Sequence, residues 1–92
     1  MRNNLNLLTP HQFLILSQLE EGENYEILIV ESFKESSYNI TKPNLRNILN
    51  RMQSLGYITS TVERPDGYRL KLYRIAPRGR RLLEKTRGFY KK

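Results

Sequence analysis

The sequence contains no cysteine and a single histidine among its 92 residues. Without thiols the chain has neither a disulfide framework nor a thiolate metal site, and this composition fits a reducing compartment. The histidine, His11, has no metal ligands clustered around it, so we expect a surface residue in the first turn of a helix. No Ser–His–Asp set, glycine-rich phosphate loop or spaced carboxylate pair stands out. These absences predict a protein that is not an enzyme and needs no metal or cofactor.

Long apolar runs are also lacking. Stretches such as residues 27–30 are far too short to cross a membrane, which takes about 20 apolar residues. The first ten residues, MRNNLNLLTP, contain one arginine and no apolar run of the length found in a secretory signal. We therefore expect a soluble protein of the cytoplasm with no membrane partner. A chain of this length forms one domain with a modest core, which oligomerisation would help to stabilise.

Acidic and basic residues are unevenly distributed. Residues 1–41 carry two basic side chains against six glutamates, for a net charge of −4, and residues 42–92 carry fourteen against three acidic ones, for +11. Positive charge concentrated in one half favours a polyanionic partner, whereas an even spread would indicate ordinary solvation. The acidic half is a candidate surface for a protein partner. Its densest cluster, Glu20, Glu21, Glu23 and Glu26, is interpreted as a solvated loop and helix start.

The first predicted helix has a clear start signal. Thr9 is expected to cap it, Pro10 fits its first position and Gln12 completes a capping box, and the helix ends near residues 20–22. A second helix is predicted from about Asn24, as its cap, to residue 35. Its ILIV stretch is also compatible with a buried strand, but its length and flanking charges favour helix. The apolar face of this second helix consists of Ile27, Val30 and Phe33.

A short strand is possible at residues 38–40, directly before a third helix. Thr41 is expected to cap that helix, Pro43 fits its first turn and Gly56 ends it. Its apolar residues recur at helical spacing and form one inward face. They are Leu45, Ile48, Leu49, Met52 and Leu55.

A hairpin and a final helix complete the chain. Residues 57–64 and 68–75 are the predicted strands, joined by the turn Pro65–Gly67, and the last helix starts at Pro77 and ends at Gly88. These elements predict an α+β winged helix-turn-helix: three helices, a two-stranded wing and one C-terminal helix. The single domain covers residues 1–92, with its core at 8–86 and a basic tail at 87–92.

The second predicted strand has apolar residues on both faces. Tyr73 and Ile75 are expected to face the core, which leaves Leu70 and Leu72 on the opposite face. These two leucines would pack on the last helix, contact a partner subunit or indicate a bulge.

The outward face of the third helix is rich in side chains that bind nucleic-acid bases. Asn is a poor helix former, but its amide can bind adenine as Arg binds guanine. Basic residues near the hairpin tip suit phosphate or minor-groove contact, although they also blunt edge-to-edge pairing. The predicted base-reading residues are Asn44, Arg46, Asn47 and Asn50. The predicted backbone-binding residues are Thr41, Lys42, Arg51, Arg64, Arg69 and Lys71.

Several segments, in this order, resemble the PadR-like winged-helix transcription regulators over about residues 8–86. EGENYEI at 21–27 resembles the family's Gly-x-Tyr-Glu-Ile element, and IT at 40–41 with LGYI at 55–58 is similar to its recognition helix and exit. KLYRI at 71–75 and GRR at 79–81 resemble its second wing strand and last helix. The chain departs from the family at two places. Arg46 and Asn47 occupy the positions where the family usually carries Tyr and Pro, and Ala76 replaces the Thr that usually precedes the last helix.

The resemblance implies a homodimeric repressor, bound to double-stranded DNA at the nucleoid, that dimerises through its terminal helices. Some members respond to small molecules near the dimer interface, but one short helix after the wing gives little basis for an effector pocket. The alternatives are a partition protein, which binds a centromere site, spreads along DNA in higher-order assemblies and recruits an adaptor, or a winged helix that binds only proteins. The candidate dimer residues are Leu5, Leu7, Leu8, Phe13, Leu82, Leu83 and Phe89.

Overall fold

The computed structural model describes residues 7–36 and 40–90. Within these residues, four α-helices and three strands follow in the order α1 (Pro10–Glu20), β1 (Asn24–Tyr25), α2 (Glu26–Lys34), α3 (Lys42–Ser54), β2 (Ile58–Glu63), β3 (Leu70–Ile75) and α4 (Pro77–Tyr90). A 3-10 turn, Pro65–Gly67, joins β2 to β3. The strands form an antiparallel sheet in the order β1-β3-β2. This is the predicted winged helix-turn-helix fold, with one more strand in its sheet than expected.

A hydrophobic core lies between the helices and one face of the sheet. Helix α3 inserts Leu45, Leu49 and Met52, which are almost completely buried. Each fully buried side chain of this kind stabilises the fold by about 1.5–3 kcal/mol. The buried core residues are Leu8, Ile15, Leu16, Leu19, Ile29, Phe33, Leu45, Leu49, Met52, Ile58, Tyr73 and Leu83.

The predicted starts of α1 and α3 are confirmed. The hydroxyl oxygen of Thr9 accepts a hydrogen bond from the backbone N–H of Gln12 at 3.3 Å, and Oε1 of Gln12 accepts one from the backbone N–H of Thr9 at 3.1 Å. Thr41 caps α3 by accepting from the backbone N–H of Asn44 at 3.3 Å. Gly56, two residues beyond α3, adopts φ +82°, a left-handed conformation that favours glycine.

Helix α2 differs from its prediction at its start and in its buried face. Asn24 and Tyr25 form β1 instead of the helix start, and α2 begins at Glu26. Ile27 is 59% exposed, whereas Ile29 and Phe33 are buried. Residues four apart lie about 40° from one another around a helix, but residues six apart lie about 120° apart. Ile27 and Phe33 therefore do not share a face, and the predicted spacing was wrong.

Strand β1 also explains how Leu72 is buried. Tyr25 pairs with Leu72, so both side chains lie on the sheet face opposite Tyr73. The hydroxyl of Tyr25 donates to Oε1 of Glu63 on β2 at 2.7 Å. Because β3 lies between β1 and β2, the side chain of Tyr25 crosses over β3 to make this bond. The register of β2 and β3 is continuous, so no bulge is present in this pair. The expected strand at 38–40 lies mostly outside the described residues, and Ile40 is in neither helix nor strand.

Helix α4 continues beyond its predicted end. It passes through Gly88, which keeps a helical backbone, and reaches Tyr90, so residues 87–90 belong to a helix and not to a tail. Arg87 in the last turn binds the carboxylate of Glu20 on α1 through two hydrogen bonds of 3.0 and 2.7 Å. The hydroxyl of buried Thr86 accepts a hydrogen bond from the backbone N–H of Leu8 at 3.3 Å. These contacts, to α1 and to the segment just before it, hold the final turns of α4 in place.

The first turn of α4 packs directly on the loop between α3 and β2. The backbone N–H of Ala76 donates to the carbonyl oxygen of Tyr57 at 2.9 Å. Gly79 is buried against the same carbonyl, and a Cβ atom at this position would lie far inside van der Waals contact with it. Only glycine permits this approach of two backbones.

We expect Gly79→Ala to lower the free energy of unfolding by about 1–3 kcal/mol, because the added methyl group forces α4 away from Tyr57. Gly88→Ala is the matched control, since it lies in the same helix and a Cβ atom there meets nothing within 4 Å. That change should stabilise the protein by up to about 1 kcal/mol, because alanine is the better helix former. Urea denaturation followed by circular dichroism measures both. Equal effects of the two substitutions would contradict the close approach at Gly79.

Candidate nucleic-acid interface

Helix α3 presents a polar face to solvent opposite its buried leucines. Its first turn contains Lys42 and no acidic side chain. The positive end of the helix dipole is therefore available to a phosphate group. Thr41 is exposed beside it, with its hydroxyl engaged as the helix cap. The predicted DNA-binding residues that α3 exposes are Lys42, Asn44, Arg46, Asn47, Asn50 and Arg51.

Helix α3 and the wing meet in an open depression of about 430 Å³, which is lined by Asn50, Gln53, Ser54 and Lys71. The hydroxyl of Ser60 on β2 donates to Oε1 of Gln53 at 3.1 Å, which ties the helix to the wing. Lys71 lies over the ring of Tyr73, with Nζ 5.4 Å from the ring centre. One predicted base-reading residue and one predicted phosphate-binding residue thus share this depression. Gln53 was not among the predicted site residues, although its place three residues after Asn50 indicates the same helix face.

The wing tip places Arg64 and Arg69 on either side of the turn. Glu63 pairs with Leu70, so the two arginines are the next residues outward along β2 and β3. Both are exposed.

The turn itself depends on two left-handed residues. Asp66 has φ +51° and Gly67 has φ +85°, and both residue types tolerate this conformation. Tyr68, directly after the turn, is 72% exposed. The tip therefore presents an aromatic side chain beside the two basic ones.

The sequence suggested that the acidic cluster of the first half is a solvated loop and helix start, but most of its side chains are paired within the protein. Three of its four glutamates make ion pairs with arginines of the basic half. The pairs are Glu20 with Arg87, Glu23 with Arg74 and Glu26 with Arg46, at nitrogen–oxygen distances of 2.7, 2.6 and 3.3 Å. The hydrogen bond from Arg87 lowers the pKa of Glu20, and the same bond raises the pKa of Arg87. The two halves of the chain thus neutralise part of each other's charge.

Arg46 is consequently engaged within the protein, unlike the other predicted phosphate- and base-binding cations. Among the described residues, no ion pair is formed by Lys42, Arg51, Arg64, Arg69 or Lys71. These five cations remain available to an anionic partner.

Two tyrosines near this surface have shifted pKa values. Burial raises the pKa of Tyr73 to about 12, and the negative charge of Glu26 adds to this shift. Within the described residues, the hydroxyl of Tyr73 has no hydrogen-bond partner. The hydrogen bond to Glu63 raises the pKa of Tyr25.

The candidate dimer residues differ in how much of their side chains is exposed. Leu8 and Leu83 are buried inside the monomer at 4% and 0% exposure, so they offer almost no area to a partner. Leu5 lies outside the described residues. Phe89 is 43% exposed and packs edge-on against Tyr90, with ring centres 5.4 Å apart. The remaining candidates, Leu7, Phe13 and Leu82, are half-buried.

A concave apolar surface lies between the start of α1 and the end of α4. It encloses about 280 Å³ and is lined by Leu8, Pro10, Phe13, Leu14 and Tyr90. Leu14 and Tyr90 were not among the residues predicted to form an apolar interface. Their only signal was proximity to Phe13 and Phe89 in the sequence.

Within residues 7–36 and 40–90, no group of three or more histidine, cysteine or acidic side chains is placed to hold a metal ion. None of the helices in this part of the chain is both long and apolar enough to cross a membrane.

The wing, the sheet order and the polar face of α3 define a winged helix-turn-helix domain. Residues 15–85 match the model of the transcriptional regulator PadR-like family, which is most of the chain. The chain therefore belongs to the PadR-like family of transcriptional regulators. The resemblance inferred from the sequence is confirmed.

Solved structures show the same fold. A PadR family transcription regulator from Clostridium difficile is 26% identical, with a TM-score of 0.81 over 90% of this chain and 88% of that one. A PadR family transcriptional regulator from Eggerthella lenta is also 26% identical, with a TM-score of 0.76 over 86% and 70%. PadR of Bacillus subtilis, in complex with operator DNA, is 22% identical, with a TM-score of 0.71 over 79% and 44%. The curated proteins gave no match, and these comparisons give no support to the partition alternative.

The raised pKa of Tyr73 predicts a loss of stability in alkaline solution. In the unfolded chain a tyrosine ionises near pH 10, before the buried residue does at about pH 12. The stability that Tyr73 contributes is present below pH 10 and is lost as the pH rises through 12. Tyr73→Phe should therefore show a smaller fall in the free energy of unfolding over this range, measured by urea denaturation.

Tyr68→Phe is the control, because it changes an exposed tyrosine of the wing. It should keep the wild-type pH dependence. A Tyr73→Phe protein that loses stability as steeply as the wild type would refute the assignment to Tyr73.

Proposed function

We propose that the chain is a sequence-specific double-stranded DNA-binding protein that represses transcription as a homodimer. The supporting observation is that α3 and the wing expose base-binding and phosphate-binding side chains around one shared depression. Such a protein acts at the nucleoid, in the cytoplasm, and needs neither catalysis nor a cofactor. We call the set of proposed DNA-binding residues the DNA-facing surface. It consists of Thr41, Lys42, Asn44, Arg46, Asn47, Asn50, Arg51, Arg64, Arg69 and Lys71.

The dimensions of α3 suit the major groove. Its 13 residues give a rod about 20 Å long and about 10–12 Å wide, and the groove is about 12 Å across. In this pose the amides of Asn44, Asn47 and Asn50 meet base edges, where an asparagine can bind N6 and N7 of adenine. The wing then lies along the adjacent backbone, where Arg64 and Arg69 neutralise phosphates or enter the minor groove.

Charge favours the same partner. The five cations of the DNA-facing surface that form no ion pair within the described residues can each displace a counterion from DNA. The relative from Bacillus subtilis, whose structure contains operator DNA, supports this choice of ligand.

The proposed dimer forms through α1 and α4. Phe89 and Tyr90 are exposed at the end of α4, beside the apolar concavity that Phe13 and Leu14 help to line. A two-fold axis through this region would bury the same surface from both subunits. The two α3 helices would then reach half-sites about 34 Å apart, one turn of DNA.

We expect Asn50→Ala to relax sequence preference. Affinity for the operator should fall about 5- to 150-fold, the equivalent of about 1–3 kcal/mol for one bidentate contact, while affinity for unrelated DNA stays unchanged. The operator can be identified by footprinting the DNA that flanks the protein's own gene. Fluorescence anisotropy with operator and scrambled duplexes then measures the change.

Arg69→Ala should weaken binding to both duplexes alike and reduce the salt slope by about one, because it removes a phosphate contact. Arg80→Ala is the matched control, since it removes the same charge from the exposed face of α4, beside Leu19 and Glu23. If neither Asn50→Ala nor Arg69→Ala changes DNA affinity, the assignment of the DNA-facing surface is wrong.

Phe89→Ser should weaken dimerisation about 30-fold or more, because an aromatic anchor is typically worth at least 2 kcal/mol at an interface. Sedimentation velocity over a concentration series measures the dimer dissociation constant. Tyr68→Ser changes an exposed aromatic residue of the wing and should leave that constant unchanged. A wild-type protein that sediments as a monomer would exclude the proposed dimer.

A further inference from the structure

The ion pair between Glu26 and Arg46 connects the two helices of the helix-turn-helix. Glu26 is the first residue of α2, and Arg46 lies on the exposed face of α3. Oε2 of Glu26 is 3.3 Å from Nε of Arg46. The side chain of Glu26 is 19% exposed and that of Arg46 is 54% exposed. The carboxylate is therefore set back into the protein while much of the arginine remains accessible.

The contacted atom determines which donors of Arg46 remain. An arginine has five N–H donors, one on Nε and four on the two terminal nitrogens. Glu26 occupies Nε, and the structure gives no hydrogen bond from Nη1 or Nη2 to any other described residue. These two nitrogens form a fork that fits two adjacent acceptors, such as O6 and N7 of guanine. Arg46 thus keeps its bidentate edge while its stem is held.

The charge of Glu26 acts differently on the two kinds of DNA acceptor. A phosphate that approaches Arg46 also meets the carboxylate behind it, so the net attraction is small. A guanine edge has no net charge and binds the fork through the acceptors O6 and N7, so the carboxylate opposes it much less than it opposes a phosphate. The ion pair with Glu26 therefore favours contact of Arg46 with a base, because it weakens the competing contact of Arg46 with a phosphate. It also limits the motion that Arg46 must lose when it binds DNA.

We propose that Glu26 is a positioning residue that sets sequence specificity, because it holds Arg46 for a guanine edge in the major groove and keeps it from neutralising phosphate. This inference rests on the proposed DNA-binding function. It adds a residue of α2 that lies outside the DNA-facing surface. It also separates Arg46 from Arg51, an exposed arginine of the same helix that forms no ion pair among the described residues.

The test is Glu26→Gln, which keeps the size of the side chain and removes its charge. The full chain is titrated by fluorescence anisotropy against the footprinted operator and a scrambled duplex of equal length, over a series of salt concentrations. Affinity for the scrambled duplex should rise about 3- to 10-fold at low salt, and its log–log salt slope should steepen by about 0.9, the value for one further phosphate. Operator affinity should rise less, so the ratio of the two affinities falls.

Glu23→Gln is the matched control. Glu23 binds Nε of Arg74 at 2.6 Å, the same arginine atom, and its substitution changes the net charge equally. Arg74 lies on β3 and not on α3. Glu23→Gln should therefore change the affinities for the operator and for the scrambled duplex by the same small factor and leave the ratio of the two affinities unchanged. Thermal melting of both variants checks that each is folded.

Arg46→Ala tests the pair from the other side. It should lower operator affinity about 5- to 150-fold and change affinity for the scrambled duplex less than twofold. Arg51→Ala, in contrast, should weaken both. In the Arg46→Ala background, Glu26→Gln should have no more effect than Glu23→Gln. Replacing one guanine of each half-site by 7-deazaguanine, which lacks N7, should weaken the wild type and not Arg46→Ala.

The outcomes separate this inference from the function on which it rests. If Glu26→Gln and Glu23→Gln change the affinity ratio equally while the wild type still prefers its operator, Glu26 does not set specificity and the proposed function stands. A wild-type protein that binds operator and scrambled duplex equally would overturn both.

Discussion

Strand β3 is the element on which the rest of the structure depends. It is the central strand of the sheet, so it supplies hydrogen bonds to β1 on one side and to β2 on the other. Tyr73 on one of its faces is completely buried in the core, and Leu72 on the other is covered by β1. Burial of these two neighbouring residues on opposite faces fixes the position of the strands on either side of β3. The wing and α3 therefore keep a defined spacing, which recognition of two adjacent features of DNA requires.

The distribution of charge has two consequences in this fold. Long-range ion pairs such as Glu20–Arg87 and Glu23–Arg74 join the acidic first half to the basic second half. They neutralise one cation on the central strand β3 and one on α4. Among the described residues, cations that form no ion pair lie on α3 and the wing, close to the amides of the helix, and also on α4, which carries Arg78, Arg80 and Arg81. The charge imbalance of the sequence is thus partly neutralised by contacts between the two halves of the chain.

The elements that the sequence predicted well are those determined by neighbouring residues. The capping box of Thr9 and Gln12, and the apolar spacing of Leu45 and Leu49, involve residues within one helical turn. The bounds of α1 and α3 follow from them. The wing strands were predicted for the same reason, since Pro65–Gly67 is a local turn signal.

The features that the sequence did not predict depend on contacts between distant residues. Strand β1 has only two residues and exists because it pairs with β3, about 48 residues further along the chain. The last turns of α4, which continue past Gly88, are tied to α1 by the bond of Arg87 to Glu20, 67 positions away. The ion pair of Glu26 with Arg46 likewise joins residues of two helices that are distant in the sequence. The outward face of α3 was therefore predicted, but the ion pairing of its Arg46 was not.

The packing of α1 on α4 also constrains the synthesis of the protein. Leu8 hydrogen-bonds to Thr86, 78 positions later, and α1 buries Ile15 and Leu16 in a core that α4 helps to form. A ribosome adds about 5–20 residues each second, so the apolar face of α1 waits roughly 4–16 seconds for its partner. Folding is completed only when the last helix has left the ribosome. Until then, the nascent chain exposes a surface that chaperones can bind.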